Sequence, residues 1–331
     1  MRKQVCALFG VIGVVLSGCN KNANNENVLS QRYIHKYGYA VSQEEWEAKN
    51  YPGQVVTQLK NGVTVTATYE NGILHGPTTY TFAHSQTVET YYLYNWGNKV
   101  KEIQYNTLGM PIREKVQLSP TRYSMTTWYN EGVPMLIEEF AGEELVDGQY
   151  FTTANDLESR VEKGHGLRIL RDEQGVLLAK EMVEEGYAIK KETFYSNGTP
   201  ESIVFYHKGK LHGEKKTFAL GGEPLAVEQW VNGNLHGKST YYKNGTRYLE
   251  ITYMYGLKNG IERHYIDGGI LSREIGWEND LRHGPSVVYF DGKPEERQWF
   301  YAGQSVSKAK FEDMNSLDEL VGQVSYDSNR R

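Results

Sequence analysis

From about residue 50 to residue 312 the chain repeats one hydropathy pattern. Short runs alternate apolar or aromatic positions with polar ones, and each run stops at a glycine, an asparagine or an aspartate. Alternation with period two puts one side-chain set on each face of an extended strand, and breaks of this kind join antiparallel strands into hairpins. The clearest break is Gly-x-x-His-Gly. It occurs at Gly209-Lys210-Leu211-His212-Gly213 and at Gly233-Asn234-Leu235-His236-Gly237. Gly256-Leu257-Lys258-Asn259-Gly260 and Asp280-Leu281-Arg282-His283-Gly284 follow, and Gly72-Ile73-Leu74-His75-Gly76 is an early copy. The final glycines of the four late copies are spaced by 24, 23 and 24 residues. A second series lies between them, at Asn61-Gly62, Gly109, Gly132, Gly175, Asn197-Gly198, Gly221-Gly222, Asn244-Gly245, Asp267-Gly268 and Asp291-Gly292. Near Ser85 and Ala154 the glycine is missing but the spacing holds. Asn-Gly and Asp-Gly reach positive φ at little cost and are strong hairpin signals. Together the two series predict about eleven hairpins, the copies near residues 110–170 being the most degenerate.

Aromatic residues keep the same period. Tyr69, Tyr94, Tyr206, Trp230, Tyr253, Trp277 and Phe300 stand three residues before the first turn glycine or its equivalent. A second set, Phe218, Tyr242, Tyr265 and Tyr289, stands five residues after the second glycine, with Tyr195 in a looser copy. A position reused in every hairpin forms a column across the sheet, where cross-strand pairs contribute about 0.2–1 kcal/mol each. The predicted fold is all-β: an elongated single-layer array of antiparallel hairpins stacked like a solenoid. Eleven hairpins of two strands at about 4.8 Å per strand would extend roughly 105 Å. Open edges need covers. Ser42-Gln43-Glu44-Glu45 before Trp46 reads as a capping-box helix start, and Asn315-Ser316 to Val321, closed by Gly322, as a second one. The expected organisation is a signal peptide (1–18), a flexible tether (19–30), a cap with a short helix (31–50), the hairpin repeats (51–312) and a C-terminal short helix and tail (313–331).

The Tyr-x-x-Gly-x-x-His-Gly units, each followed by an aromatic strand and an Asn/Asp-Gly turn, resemble bacterial variants of the MORN repeat, of the YwqK-type antitoxin-like group. The resemblance covers most of residues 50–312. It implies successive hairpins in one long, twisted sheet, and a scaffold or binding role rather than catalysis.

The ends and the charge add a location. Arg2 and Lys3 precede an apolar run, Val5 to Leu16, that is too short to span a bilayer as a stable helix. Leu16-Ser17-Gly18-Cys19 then places small residues before a cysteine, as at a signal-peptide cleavage site. The arrangement resembles the bacterial lipobox, which implies acylation of Cys19. Cys6 falls in the part removed, so Cys19 is left without a disulfide partner. The stretch from Asn20 to Asn27 has almost no apolar surface to bury and reads as a tether. Asn20, a residue other than aspartate after the cysteine, points toward the outer membrane in a two-membraned bacterium. The expected location is the cell envelope, with the membrane reached through acylated Cys19. The chain carries 36 Lys and Arg against 41 Asp and Glu, a formal charge of −5, which gives no general attraction for nucleic acid. Aromatics make up 12% of residues, which argues against global disorder.

No catalytic constellation emerges. His75, His212, His236 and His283 share one repeat position, so equivalent atoms lie about 9.6 Å apart and cannot converge on a zinc ion that needs ligands at about 2.0–2.1 Å. They read as turn structure, together with Gly72, Gly76, Gly209, Gly213, Gly233, Gly237, Gly256, Gly260 and Gly284. Gly233 to Ser239 mimics a phosphate-binding loop but has three residues between its glycines instead of four, and a strand after it instead of a helix. Glu138-Glu139 and Glu184-Glu185 are neighbours on a strand and face opposite ways. No serine sits in a Gly-x-Ser-x-Gly elbow. Lys99 to Lys101, Lys190-Lys191 and Lys215-Lys216 read as solvated strand faces. No cofactor or metal is expected. The leading expectation is a membrane-anchored, non-enzymatic scaffold with a protein partner. Alternatives are an immunity protein that neutralises a toxin, and a peripheral module whose aromatic face binds lipid headgroups or glycans.

Overall fold

The computed structural model describes residues 27–266 and 268–328, so the predicted signal peptide, Cys19 and most of the tether lie outside the described residues. The chain forms two compact units, Met1–Gly109 and Met110–Arg331. In the first, the strands lie side by side in the order Ala40–Val41, Val28–His35, Gly53–Leu59, Thr64–Glu70, Ile73–Thr81, Val88–Asn95 and Asn98–Tyr105. In the second, strand follows strand from Pro111–Ser119 to Gln304–Val306. Every pairing is antiparallel, and within each unit most strands bond to their neighbours in sequence, Val28–His35 lying between Ala40–Val41 and Gly53–Leu59. The protein is therefore all-β, an open array of hairpins with a helix near its first and last strands. Taking Asn234–Leu235 with Gly237–Lys243, and Leu257–Lys258 with Gly260–Ile266, as single strands, Gly53–Tyr301 holds twenty-two described strands, the eleven hairpins expected.

The two turn series differ in kind. In the first, the two central residues both adopt positive φ, as at Asn232 (51°) and Gly233 (87°), or Tyr255 (51°) and Gly256 (88°). These are type I′ turns, whose twist matches that of the flanking strands. Consecutive turns of this series are stitched together: Gly233 N–H donates to Leu211 O at 2.8 Å and Gly256 N–H to Leu235 O at 2.8 Å. Most of the second series is built otherwise. At Asn197-Gly198 only the glycine has positive φ, and Asn197 Oδ1 accepts the Thr199 N–H at 3.0 Å. Asn155 (φ 67°) takes the left-handed position near Ala154 where the sequence has no glycine.

The His-Gly dipeptide is not part of the turn. Tyr206 pairs with Leu211, but Val204 pairs with Lys215, a register slip of two residues that recurs from Trp277↔Arg282 to Ile275↔Ser286. His212-Gly213 and His283-Gly284 thus form bulges in the strand after the turn. A slip of two leaves the inward and outward sets on their own faces, while the bulge adds twist.

Residues 134–184, which overlap the most degenerate copies, hold the main apolar core: Leu136, Leu145, Tyr150, Val161, Ile169 and Val183. Hairpins here curl enough that Leu145 N–H reaches Gly186 O at 3.0 Å and Gly164 N–H reaches Val146 O at 2.7 Å. The repeat signature fades because apolar packing has replaced it.

Two boundary expectations are corrected. Residues 28–30, expected in the tether, open strand Val28–His35, which pairs along Gly53–Leu59. The second helix spans Lys308–Ser328 rather than starting at residues 315–316, so the repeats end before residue 312. Ser307 is its cap, its Oγ accepting the Lys310 N–H at 3.2 Å, whereas the Ser316 hydroxyl donates to Glu312 O at 2.8 Å inside the helix. Gly322 lies within the helix. The first helix, Gln43–Lys49, begins as expected, with Ser42 Oγ accepting the Glu45 N–H at 3.2 Å. Its buried Trp46 packs on Tyr33 and Tyr69, with ring centroids 5.6 and 6.2 Å away.

Candidate functional site

Five of the rings expected to form a column stand opposite glycines on the neighbouring strand. Gly76 pairs directly with Tyr94, Gly213 with Trp230, Gly237 with Tyr253, Gly260 with Trp277 and Gly284 with Phe300. A Cβ at four of these glycines would meet the strand before the turn instead, at Thr68 from Gly76, Phe205 from Gly213, Gln229 from Gly237 and Thr252 from Gly260. Cations also reach the rings: Lys215 Nζ lies 5.6 Å from the Trp230 centroid, Lys258 Nζ 4.5 Å from Trp277, and the Arg282 guanidinium 5.2 Å from Phe300. Tyr69 is the member covered by Trp46, and Tyr206 pairs with Leu211 across the type I′ turn.

Between the rings run carboxylates that the sequence reading did not single out. Glu228 takes Lys215 at 3.1 Å, the Trp230 indole N–H at 3.2 Å and the Tyr241 hydroxyl at 3.4 Å. Glu250 takes Lys238 (3.2 Å), Arg247 (3.1 Å) and the Tyr265 hydroxyl (2.7 Å). Glu274 takes Arg263 and the Tyr289 hydroxyl, each at 2.8 Å. Glu262 meets Lys258 and His264, each at 2.6 Å. The signal was available, since Glu250–Tyr265 and Glu274–Tyr289 share one separation of 15 residues. Burial alone raises the Glu250 and Glu262 carboxyls. The hydrogen bonds they receive, from Tyr265 and Lys238 and from Lys258 and His264 respectively, outweigh it and hold both below the ordinary value. Burial, then the bond to Glu250, pushes Tyr265 up to about 12.

The densest network sits beside the core. Arg168 grips Glu138 through Nε (2.5 Å) and Nη2 (2.9 Å) and reaches Glu181 through Nη1 at 2.9 Å. Tyr150 donates to Glu138 at 2.9 Å, and Lys191 pairs with Glu181 at 2.8 Å. Burial and the Glu138 charge raise the Tyr150 hydroxyl. Burial would raise Glu181 too, but Lys191 and Arg168 bring it down. Glu139 faces the other way and pairs with Arg122, as strand alternation requires. The lysine doublets are less free than expected, because Lys190, Lys191, Lys215 and Lys216 each pair with a glutamate.

The bulge histidines reach the next hairpin's turn. His75 Nδ1 accepts the Trp96 N–H at 3.3 Å with the rings 4.6 Å apart, and His236 Nδ1 accepts the Tyr255 N–H at 3.4 Å. Asn259, which replaces histidine in one copy, bonds Asn279 at 3.5 Å. His283 packs on Tyr301 and on Phe311 of the second helix, both at 5.2 Å, while His212 lies 5.7 Å from His207. Among the described residues, no group of three His, Cys, Asp or Glu is placed to hold a metal ion. Nor is any helix among them long and apolar enough to cross a membrane.

Comparison with known proteins adds little. No family model matches the sequence. No curated protein matches it either. Among solved structures, the crystal structure of TcdB2-TccC3 aligns over 84% of this chain at 12% identity and a TM-score of 0.18. A porin-like protein from Bacteroides uniformis aligns over 83% of this chain and 91% of its own, at 9% identity and a TM-score of 0.14. The chain spans 15% of the TcdB2-TccC3 chain it aligns with.

Proposed function

We propose that this protein is a lipid-anchored, non-enzymatic scaffold of a bacterial cell envelope, which engages a protein partner through its repeated hairpin surface. The observation that carries the reading is the aromatic position reused at Tyr206, Trp230, Tyr253, Trp277 and Phe300, where Trp230 and Trp277 each have a lysine over the ring that is itself paired with a glutamate. Aromatic groups held at a fixed period are anchors that protein interfaces favour. Glu228 and Glu262 each take at least two internal partners, an arrangement that suits a rigid surface. The anchor rests on Leu16-Ser17-Gly18-Cys19, since two or three acyl chains hold a protein at a bilayer stably.

Two measurements test the proposal. The full chain should fractionate with membranes and Cys19→Ala should not; membrane retention of the variant would defeat the anchor. A photo-crosslinking amino acid placed at Trp230, in the aromatic set itself, should trap one discrete adduct in intact cells, and the same probe at Leu108 should not. Equal labelling from both positions would remove the case for a partner-specific face.

A further inference from the structure

We infer that a groove at the turn edge of the first unit is a binding site for a neutral saccharide. The groove measures about 520 Å³ and is lined by His35, Lys36, Gly53, Tyr69, Glu70 and His75, among others. That volume lies within the range of small-molecule sites and has room for about one or two sugar rings.

The groove is built around His35, which ends strand Val28–His35 and is only 7% exposed. Its Nδ1 accepts the Tyr37 N–H at 3.3 Å, so the neutral ring carries its proton on Nε2. On the groove wall the Thr68 hydroxyl is buried and, among the described residues, has no hydrogen-bond partner. A buried donor without a partner is costly and suits a ligand oxygen. Lys36 supplies further donors, and Glu70 supplies acceptors. Only one oxygen of Glu70 approaches His75, Oε2 at 3.7 Å from Nε2. The Lys36 and Glu70 charges cancel, which favours a neutral ligand over an anion. Hydroxyls both donate and accept, so a polyhydroxylated ligand satisfies this mixed set.

The rim supplies apolar surface. Gly38 lines the groove, and the rings on either side of it, Tyr37 and Tyr39, are 77% and 52% exposed. Both touch the His35 ring, Tyr39 stacked at 4.5 Å and Tyr37 tilted at 5.1 Å. Rings held rigid at one edge and open on a face offer a surface for the C–H face of a sugar ring. At the floor, Gly53 pairs with both His35 and Tyr69, and a Cβ there would overlap the Ile34 carbonyl oxygen. Only glycine leaves this space open.

The test titrates the purified full chain with maltotriose, cellotriose and triacetylchitotriose, with succinate as an anionic probe, and reads saturation-transfer NMR and tyrosine fluorescence. At least one trisaccharide should bind with Kd of about 1 mM or tighter. His35→Phe, which keeps the ring and removes the donor, and Tyr39→Ala should each weaken binding about tenfold, whereas Tyr248→Ala should leave it unchanged. Glu70→Ala, at a more exposed position, should also weaken it and covers the case in which His35→Phe fails to fold. No saturation by about 10 mM, succinate binding as tightly as the sugars, or wild-type affinity in the Glu70 and Tyr39 variants would overturn the inference. Retained binding to a bead-linked trisaccharide assigns a glycan chain end, and its loss assigns a free sugar. The site uses no residue of the second unit, so its failure would leave the scaffold proposal standing.

Discussion

Replacing Arg168 with methionine gives the sharpest test of how the array is held. The Glu138 side chain is 0% exposed and takes two hydrogen bonds from Arg168, at 2.5 and 2.9 Å. In Arg168→Met the stem is kept and the charge removed. Glu138 is then a buried carboxylate held by the Tyr150 hydroxyl alone. Removing one partner of a buried ion pair in this way costs about 3–5 kcal/mol. Because a repeat array opens locally, amide hydrogen exchange is the right assay. Amides of strands 134–141, 144–151, 165–171 and 177–184 should exchange at least about 150-fold faster than in the wild type at pH 7. Strands after residue 260 should change little. Adding Glu138→Gln should restore much of the protection at pH 7. An effect under about five-fold at pH 7 would refute the reasoning.

Acidification should destabilise the wild-type second unit. Glu181, Glu250 and Glu262 have depressed values in the folded protein, so their contribution is complete above the ordinary value of 4.5 and is lost as pH falls below it. A melting temperature that is flat from pH 4.5 down to 3 would contradict this. Tyr265 works in the opposite sense: its folded value of about 12 exceeds the ordinary 10.0, so its contribution is complete below pH 10 and fades as pH rises toward 12. Absorbance titration at the phenolate band should lose one late-titrating tyrosine in Tyr265→Phe, while others with raised values, such as Tyr150 and Tyr241, remain. Ser307→Ala should cost about 1 kcal/mol of C-terminal helix stability and Ser316→Ala close to nothing, as read by exchange of helix amides. The reverse order would restore the later helix start.

Much of the hairpin path was written locally. Turn residues such as Asn232-Gly233 fix a backbone twist by themselves, and period-two alternation assigns faces without reference to distant residues. Local chemistry also placed Ser42 correctly as a helix cap, where Glu45 lies one turn away. The same reasoning misplaced the second helix, because Ser307 and Ser316 both look like caps and only packing selects between them: Phe311 must reach Trp299 and His283, which draws the helix start toward the last strand. His-Gly looked like a turn because a bulge beside a turn leaves the same glycine spacing. The groove at His35 draws on residues from 34 to 76, and no pattern in the sequence announces it.

The sequence by itself determined the strands, the type I′ turns and the period of the aromatic positions, since each is a preference of a few adjacent residues. Only the tertiary structure decided which carboxylates are buried and which rings carry cations. It also decided that residues 134–184 hold the core. Those outcomes depend on how far successive bulges curl one hairpin over another, a sum of small rotations that no single repeat encodes.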